Sequence, residues 1–456
     1  MANDLFNDFD PVSSKQWKQQ IQFELKGADY NETLIWNSPE DIKVKPFYHA
    51  DEKANKLTVK TRATQFKIGQ DIFVHDLDKS IWRANDSISR GAESIRFTIS
   101  DPGIDVAKLL GSLPLEKVSV FFDLHFLSID FVKQIDAAAT EKNATVFCNL
   151  DPIGQLTQDG NWFKNTDRDN FETLNTIAKE TNSVSFVSVN AGLYQNAGAN
   201  AVQQVAYALS HGNEYLNRIP EISKPIVFNV AIGTNYFFEI AKLRALRLLF
   251  GKIASEYDHH LDCHIVATPT KRNKTIYDYN VNLLRTTTEC MSAVLGGADT
   301  ICNLPYDVLY HKSNEFGERI SRNQLLVLKN ESYFDKVDNP ADGSYYIESL
   351  TTQIAEKALA LFKEMETNGG FLVKLGEGII QKKIAESAEK EQQLFDSGKE
   401  ILLGTNKYPN KNDRMAHDLE LFPFVKNKPR KTLITPIIPK RLAEKIEQER
   451  LETEKE

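Results

Sequence analysis

An acid and a base lie two residues apart in the stretch "DLHFLS", at Asp123 and His125. Alternate residues of an extended segment face the same side, so the two side chains could act together. A carboxylate that orients a histidine makes a general base, and the same pair could contribute to a metal site. No third ligand or nucleophile stands at a supporting spacing, however. The favoured interpretation is that Asp123 caps the following helix and that His125 is a loop residue.

A second stretch, "VSFVSVNAGLYQNAGANA" (184–201), has the form of a strand, a turn and a helix. Barrel enzymes keep their reacting groups on turns of this kind. This turn has no acid, base or strong nucleophile, and offers only Asn190, Leu193, Tyr194, Gln195 and Asn196. The polar residues that follow the predicted strands are Asp76, Asp101, Asp123, His125, Asn149, Asp151, Asn190, Thr268 and Asn303. They form a thin set for acid–base chemistry.

Short apolar runs alternate with amphipathic helical stretches from about residue 71. The predicted strands are "DIFVHDL", "ESIRFTI", "VSVFFDL", "ATVFCNL", "VSFVSVN", "PIVFNVAIG", "CHIVATP" and "DTICNLP". Such runs are typical of parallel strands buried on both faces. Eight βα units in about 260 residues fit a (β/α)8 barrel. An open doubly wound sheet is the alternative, but no Gly-rich turn follows the first strand. We therefore predict an α/β fold with a TIM barrel over residues 61–335.

Helical segments flank the predicted barrel on both sides. An N-terminal arm covers residues 1–60 and contains "PVSSKQWKQQIQFELKGADY", which predicts a helix capped by Ser13 or Ser14 and ended at Gly27. Residues 336–456 contain two further predicted helices, "LTTQIAEKALALFKEMETNGGF" and "EGIIQKKIAESAEKEQQLFDSG". The tail "KRLAEKIEQERLETEKE" is highly charged, which predicts a solvated helix or a frayed end.

The composition is that of an ordinary globular protein. The 456 residues carry a formal net charge of -8, which argues against a general nucleic-acid binder. No apolar run approaches the ~18–20 residues that cross a bilayer, and the N-terminus lacks the pattern of a signal or transit peptide. We therefore expect a cytoplasmic protein. The four scattered cysteines are expected to be small buried hydrophobes.

Residues 314–371 contain the most distinctive motifs of the chain, "ERISRNQL" and "DNPADGSYYIESLT". These resemble the elements "ARIARNTQ" and "DPWAGSYYVE" of the cobalamin-dependent methylmalonyl-CoA mutases and related acyl-CoA mutases. The stretches "RTTTECMSAVLGGADTICNLPYD" and "WNSPEDIKVKPFYHADE" are similar to other parts of the same family. The resemblance spans almost the whole chain and is weakest between about residues 53 and 180.

The resemblance implies a barrel that binds an acyl-CoA along its axis and a separate C-terminal domain that holds cobalamin through an Asp-x-His-x-x-Gly element. "DLHFLS" comes near this element, but Ser128 replaces its Gly and the segment lies on the third predicted barrel strand. It is therefore not taken as a cobalamin site. "PKRLAEKIEQERLE" resembles the segment just before the cobalamin domain, and the sequence ends there. We therefore expect no cobalamin domain on this chain. Adenosylcobalamin is expected on a partner subunit.

Several departures from the family concern the chemistry itself. Leu193 stands where catalytic members carry a histidine that contacts the substrate thioester, and Gly192 stands where they carry a tyrosine. Leucine can neither donate a hydrogen bond nor transfer a proton. The family's His-x-Gln-Thr-Ser-Gly stretch keeps only its histidine, His264, and "TRATQFKIGQD" lacks the substrate-lining residues of the family. We expect no catalytic, cofactor-binding or metal-binding residue on this chain.

Together these departures favour a small, non-catalytic subunit that pairs with a larger catalytic mutase chain as a heterodimer. The arm over residues 1–60 would then serve subunit contact. Such a complex would interconvert methylmalonyl-CoA and succinyl-CoA. Two alternatives stay open: a subunit of a related acyl-CoA mutase, and an independent barrel enzyme that acts on an acyl-CoA or a small acid through Asp123 and His125.

Overall fold

Eight parallel strands close into a barrel in a computed structural model that describes residues 10–52, 57–257, 261–426 and 429–454. A short antiparallel pair, β1 (Trp36–Asn37) and β2 (Lys43–Val44), lies in the N-terminal arm. The barrel strands are β3 (Lys67–Val74), β4 (Ser94–Ile99), β5 (Ser119–Leu124), β6 (Val146–Leu150), β7 (Ser185–Asn190), β8 (Ile226–Ile232), β9 (Cys263–Pro269) and β10 (Thr300–Cys302). They pair in chain order, and β10 closes the barrel against β3. The predicted (β/α)8 fold is confirmed.

Helices surround the barrel and extend its C-terminal side. In chain order they are α1 (Ser14–Glu24), α2 (Tyr30–Leu34), α3 (Leu77–Ser89), α4 (Val106–Gly111), α5 (Ile129–Glu141), α6 (Pro152–Asp159), α7 (Asp167–Glu180), α8 (Gly192–Asn196), α9 (Ala201–Arg218), α10 (Tyr236–Ser255), α11 (Val281–Leu295), α12 (Glu315–Leu326), α13 (Tyr345–Thr367), α14 (Gly370–Gly376), α15 (Ile379–Asp396) and α16 (Glu444–Thr453). The two helices predicted after the barrel correspond to α13 and α15. No helix among the described residues is both long and apolar enough to cross a membrane.

The two faces of each barrel strand have different partners. On β4, Ile95, Phe97 and Ile99 belong to the main core under the helices, whereas Arg96 reaches side chains of other barrel strands. This alternation follows from the two-residue repeat of a strand. All four cysteines are free and buried, as expected.

The helices after the barrel share its core. Arg244 on α10 is fully buried and donates hydrogen bonds to Asp342 at 2.5 Å and to Glu348 on α13 at 3.0 Å. Leu350 and Ile354 of α13 belong to the same hydrophobic cluster as the barrel strands. The helical flank is therefore packed onto the barrel by both apolar and charged contacts.

The charged tail forms a helix with one exposed and one buried face, so the prediction that it is solvated holds for only part of its residues. Arg441 donates to the backbone oxygen of Lys274 at 3.0 Å and pairs with Glu447 at 2.7 Å. Glu447 is almost fully buried and accepts a hydrogen bond from the backbone of Ile276 at 2.9 Å. The tail thus packs on the loop that follows β9, and its charges are compensated there.

The N-terminal helix α1 begins as predicted, because Ser13 caps it in a reciprocal capping box with Gln16. No residue of α1 is buried. Trp17 is 50% exposed and Phe23 is 81% exposed. Large apolar side chains that remain exposed along one helix are typical of an interaction surface.

Candidate functional site

A layer of polar side chains crosses the inside of the barrel toward the carboxyl ends of the strands. Arg96 on β4 makes a bidentate contact with Asp71 on β3, with Nε–Oδ1 and Nη2–Oδ2 distances of 2.8 and 2.6 Å. Arg96 Nε lies 3.6 Å from Asp123 Oδ2 on β5, and Nη2 lies 3.5 Å from Thr268 Oγ1 on β9. Asn149 on β6 donates to Asp123 Oδ1 at 2.5 Å. We call these five residues the mouth layer.

The mouth layer is reached by solvent but is strongly influenced by the protein around it. The side chain of Asp71 is 39% exposed and that of Asp123 is 30% exposed. Loss of hydration raises the pKa of Asp123, although Arg96 and the hydrogen bond from Asn149 partly oppose this effect. The layer therefore holds a carboxyl group that accepts a proton more readily than an ordinary aspartate.

Apolar side chains fill the barrel axis beneath the mouth layer. They form a separate core cluster made of Phe121, Phe147, Val227, Val266 and Cys302. The rings of Phe121 and Phe147 stack at a centroid distance of 4.4 Å, inclined by only 5°. Only a residue without a side chain fits at Gly69, because a Cβ there would collide with the sulfur of Cys302 in this layer. The middle of the barrel is thus a packed core and not a channel.

His264 lies near the amino end of β9, on the far side of this apolar layer from the mouth. Its Nε2 atom is 3.2 Å from Thr300 Oγ1, and its ring centroid is 4.6 Å from that of Phe147. Burial lowers the pKa of His264 because the charged imidazolium loses its hydration. The histidine that the family resemblance singled out therefore sits in the floor of the barrel.

Asp123 and His125 do not form a hydrogen-bonded acid–base pair. His125 is exposed, and its Nδ1 atom is 3.1 Å from Ser100 Oγ, so its interpretation as a loop residue is confirmed. The interpretation of Asp123 as a helix cap is wrong, because Ser128 caps α5. The Asp123 side chain points into the barrel, where it meets Arg96 and Asn149.

The turn after β7 is anchored by backbone and amide contacts. Leu193 is buried in the main core. Asn196 accepts hydrogen bonds from the hydroxyl of Thr270 and the backbone nitrogen of Lys271, both at 2.9 Å. Its own amide donates to the oxygen of Gly192 at 2.8 Å. The turn therefore has a structural role, since it holds the loop that follows β9.

Asp151 is the centre of a buried network next to this turn. It accepts hydrogen bonds from Tyr215 at 2.6 Å and from the backbone of Asn190 at 2.7 Å, and lies 2.8 Å from His211 Nε2. The other nitrogen of His211 lies 2.8 Å from the hydroxyl of Tyr194. Burial alone would raise the pKa of Asp151, but His211 and these hydrogen bonds lower it. The network is closed by its own partners and stabilises the fold.

A cavity of about 800 Å³ lies beside the barrel mouth, between the N-terminal arm and α15. Glu40 from the arm accepts a hydrogen bond from the first residue of α9, Ala201, at 3.2 Å. The amine of Lys242 is buried below the cavity, where it donates to Gln204 and to the oxygen of Ala231, both at 2.8 Å. Across the described part of the chain, no group of three His, Cys, Asp or Glu side chains could hold a metal ion.

The remaining predicted site residues have local roles. Asp76 caps α3, the side chain of Asp101 accepts from the backbone of Gly103, and Asn303 donates to the oxygen of Ser321. The structure brings together three of the predicted residues, which are Asp123, Asn149 and Thr268. Sequence reasoning missed the residues that join them, Asp71 and Arg96. A charge inside an otherwise apolar strand, as in "ESIRFTI", was the signal that could have revealed Arg96.

A (β/α)8 barrel with a filled axis, a polar mouth and a packed helical flank is the class of protein that the structure defines. A family model described as methylmalonyl-CoA mutase matches residues 101–446. The chain belongs to the methylmalonyl-CoA mutase family.

The chain is similar to curated members of this family over most of its length. It is 36% identical over 446 residues to the methylmalonyl-CoA mutase small subunit of Porphyromonas gingivalis, covering 89% of this chain and 71% of that protein. It is 26% identical over 473 residues to the methylmalonyl-CoA mutase of Rhizobium meliloti, covering 89% and 65%. It is 28% identical over 454 residues to that of Cereibacter sphaeroides, covering 86% and 64%. The chain thus spans slightly less than two thirds of the length of the latter two proteins.

Proposed function

We propose that this chain is the small subunit of a heterodimeric methylmalonyl-CoA mutase. It is non-catalytic and stabilises a larger subunit, which binds adenosylcobalamin and interconverts methylmalonyl-CoA and succinyl-CoA in the cytoplasm. The similarity to the small subunit of Porphyromonas gingivalis supports this proposal. A catalytic function for the chain alone would need a path for the acyl-CoA and groups that act on it.

The observation that carries the proposal is the filled axis of the barrel. The family resemblance implies that an acyl-CoA lies along this axis, where the stacked rings of Phe121 and Phe147 now stand. Val227, Val266 and Cys302 complete the same apolar layer. Opening it would expose several buried side chains at a cost of roughly 1.5–3 kcal/mol for each. A long thioester substrate therefore has no route through this barrel.

The turn after β7 supports the same proposal. Leu193, which aligns with the family's substrate-contacting histidine, is buried in the main core and has no polar atom in its side chain. The mouth layer does not replace the missing histidine, because Arg96 is already engaged by Asp71 in a bidentate contact. The chemistry is therefore assigned to the partner subunit.

The N-terminal arm over residues 1–60 is the proposed contact with that partner. Within the arm, the start of α1 is held by a hydrogen bond from the backbone of Ser14 to Asp51 at 2.8 Å. Beyond this point α1 presents Trp17 and Phe23 to solvent and buries no residue of its own. In the domain organisation that we propose, the arm is followed by the barrel over residues 61–335 and by the C-terminal helical segment over residues 336–456.

The proposal is tested by assaying adenosylcobalamin-dependent isomerisation of methylmalonyl-CoA with this chain alone and after addition of the large subunit. We expect no turnover alone, and turnover with a stable 1:1 complex after mixing. The complex should bury more than ~2,000 Å², as obligate interfaces do. Turnover by the isolated chain, or a chain that stays monomeric beside the large subunit, would contradict the proposal.

A pair of tryptophan variants tests the role of the arm. Trp17→Ala removes an exposed ring from α1, and we expect it to weaken the complex at least about tenfold, since buried aromatic anchors dominate interfaces. Trp82→Ala removes a ring of 64% exposure from α3 on the barrel, and should leave affinity unchanged. The dissociation constants are measured by titration calorimetry. Equal losses in the two variants would remove the arm from the interface.

A further inference from the structure

A C-terminal segment crosses the loop that follows β10. We call this segment, residues 413–425, the strap. Its residue Met415 packs with Tyr310 of the loop in a cluster of buried apolar side chains. The backbone oxygen of Tyr310 accepts the N–H groups of Glu420 and Leu421 at 2.9 and 2.8 Å. The middle of the strap therefore lies directly against the loop at Tyr310.

His311 lies between two carboxylates at this crossing. Its Nδ1 atom is 3.2 Å from Oδ2 of Asp307 on its own loop, and its Nε2 atom is 3.4 Å from Oδ1 of Asp418 on the strap. Asp307 is buried, and its Oδ2 also accepts a hydrogen bond from Asn314 at 2.7 Å. The side chain of Asp418 is 53% exposed. The imidazole thus joins a buried carboxylate of the loop to a solvent-reached carboxylate of the strap.

The two contacts of His311 require two protons on the ring. An ionised carboxylate only accepts hydrogen bonds, and a neutral imidazole carries a single N–H. The neutral ring can therefore donate to one carboxylate, but it turns a lone pair toward the other. We expect the remaining proton to stay on Nδ1, because the partner there, Asp307, is buried and a lost hydrogen bond costs more in a buried position. Deprotonation then breaks the contact with Asp418.

The surroundings of His311 favour the charged ring. Burial alone would lower its pKa, but the hydrogen bonds and charges of the two carboxylates raise the pKa overall. The charged or titratable neighbours Lys312 and His417 are exposed, so solvent screens their effect on the ring. The carboxylate of Glu420 is engaged elsewhere, because its Oε2 accepts the backbone N–H of Lys312 at 2.9 Å.

We propose that His311 is a pH-sensitive clasp, which holds the middle of the strap on the loop after β10 while its ring is charged and releases it as the pH rises. The ends of the strap are held without a histidine. The backbone of Met415 donates to Glu454 at 2.9 Å, and the backbone of Val425 donates to Glu444 at 3.2 Å. The release is therefore local, and it frees the backbone oxygen of Tyr310.

The pH range of the release follows from the charged state that the closed strap stabilises. The pKa of His311 is raised while the strap is closed. The contribution of the clasp is therefore fully present below the ordinary histidine pKa of about 6.5, and it is lost as the pH rises through the higher pKa of the closed state. This behaviour belongs to the fold of the chain and does not depend on the proposed mutase partner.

Hydrogen–deuterium exchange of the full chain tests the clasp at about pH 6 and about pH 8.5, on either side of the range in which histidine titrates. The reporters are the backbone amides of Glu420 and Leu421, followed by mass spectrometry and corrected for the intrinsic pH dependence of exchange. We expect their protection to be about threefold lower at the higher pH, the factor that a solvent-screened ion pair contributes. Protection of strand β8 should not change.

Three variants separate the clasp from other effects of pH. Asp418→Asn should keep the strap equally protected at both pH values, because the Asn amide can donate to a neutral imidazole and its oxygen can accept from a charged one. His311→Gln should also remove the pH dependence, since glutamine does not titrate. His49→Gln is the matched control, because His49 Nδ1 lies 2.9 Å from Asp51 in the N-terminal arm, and it should leave the response of the strap intact.

Three results would overturn the proposal. One is equal protection of the Glu420 and Leu421 amides at both pH values in the unchanged chain. Another is a threefold change that persists in Asp418→Asn, whose exposed position makes misfolding of the variant no explanation, or in His311→Gln. The last is a loss of protection that is equal in the strap and in β8, because it would report a change in the stability of the whole chain.

Discussion

The buried cation Arg244 provides a direct test of whether the C-terminal helices and the barrel fold as one unit. Arg244 has no exposed surface and contacts Asp342 at 2.5 Å and Glu348 at 3.0 Å. In Arg244→Met, the buried carboxylate of Glu348 keeps the backbone N–H of Gly343, at 3.1 Å, as its one hydrogen-bond donor among the described residues. Breaking one half of a buried ion pair costs about 3–5 kcal/mol, because the remaining charge is left without compensation. We expect a loss of unfolding free energy in this range.

The assay is urea unfolding followed by tryptophan fluorescence and by far-ultraviolet circular dichroism. Arg168→Met is the matched control, since Arg168 pairs with Glu172 at 2.6 Å on the surface of α7, where solvent screens the charges and the pair should contribute little to stability. The double variant Arg244→Met/Glu348→Met should recover most of the lost stability, because no buried charge is left unpaired by Glu348. A loss below about 1 kcal/mol in Arg244→Met would refute this account of the contact between α10 and α13.

Two further perturbations test the barrel interior and its neighbouring network. Gly69→Ala should destabilise the chain by about 1–3 kcal/mol, because the added Cβ overpacks against Cys302. Gly111→Ala is the control and should be neutral or stabilising, because a Cβ there meets no atom within 4 Å. Thermal unfolding compares the two variants. Asp151 has a lowered pKa in the folded chain. Its contribution to the unfolding free energy is therefore fully present above the ordinary aspartate pKa of about 3.9, and it is lost as the pH falls through the lower pKa of the folded state. The unfolding free energy of Asp151→Asn, measured against pH, should therefore fall less steeply in acid than that of the unchanged chain.

The barrel could be predicted from the sequence because its signal is local. Each strand is a short apolar run, and eight of these runs recur with helices between them at the spacing of a βα unit. The observed strands lie within or next to the predicted runs, and the largest difference is at β3, which begins at Lys67 and not at Asp71. That shift matters, because it places Asp71 in the interior of a strand and inside the barrel.

The mouth layer could not be predicted in full because its contacts join strands that are far apart in sequence. Arg96 reaches Thr268 across 172 positions, and nothing in either local stretch specifies the other. The buried face of the charged tail was not predicted for the same reason. Its charged residues, considered without their partners, predict exposure to solvent, but Arg441 and Glu447 form hydrogen bonds with the loop after β9. Charge pattern predicts exposure only where no distant partner compensates the charge.

The filled axis and the polar mouth place different limits on what this barrel can do. A packed layer of Phe121 and Phe147 excludes any ligand that must extend along the axis, whatever groups line the rim. The rim keeps its own charges, because Arg96 needs Asp71 and Asp123 to compensate it inside the barrel. Polar groups at the mouth are therefore retained for the stability of the barrel even if the acyl-CoA reaction belongs to a partner subunit.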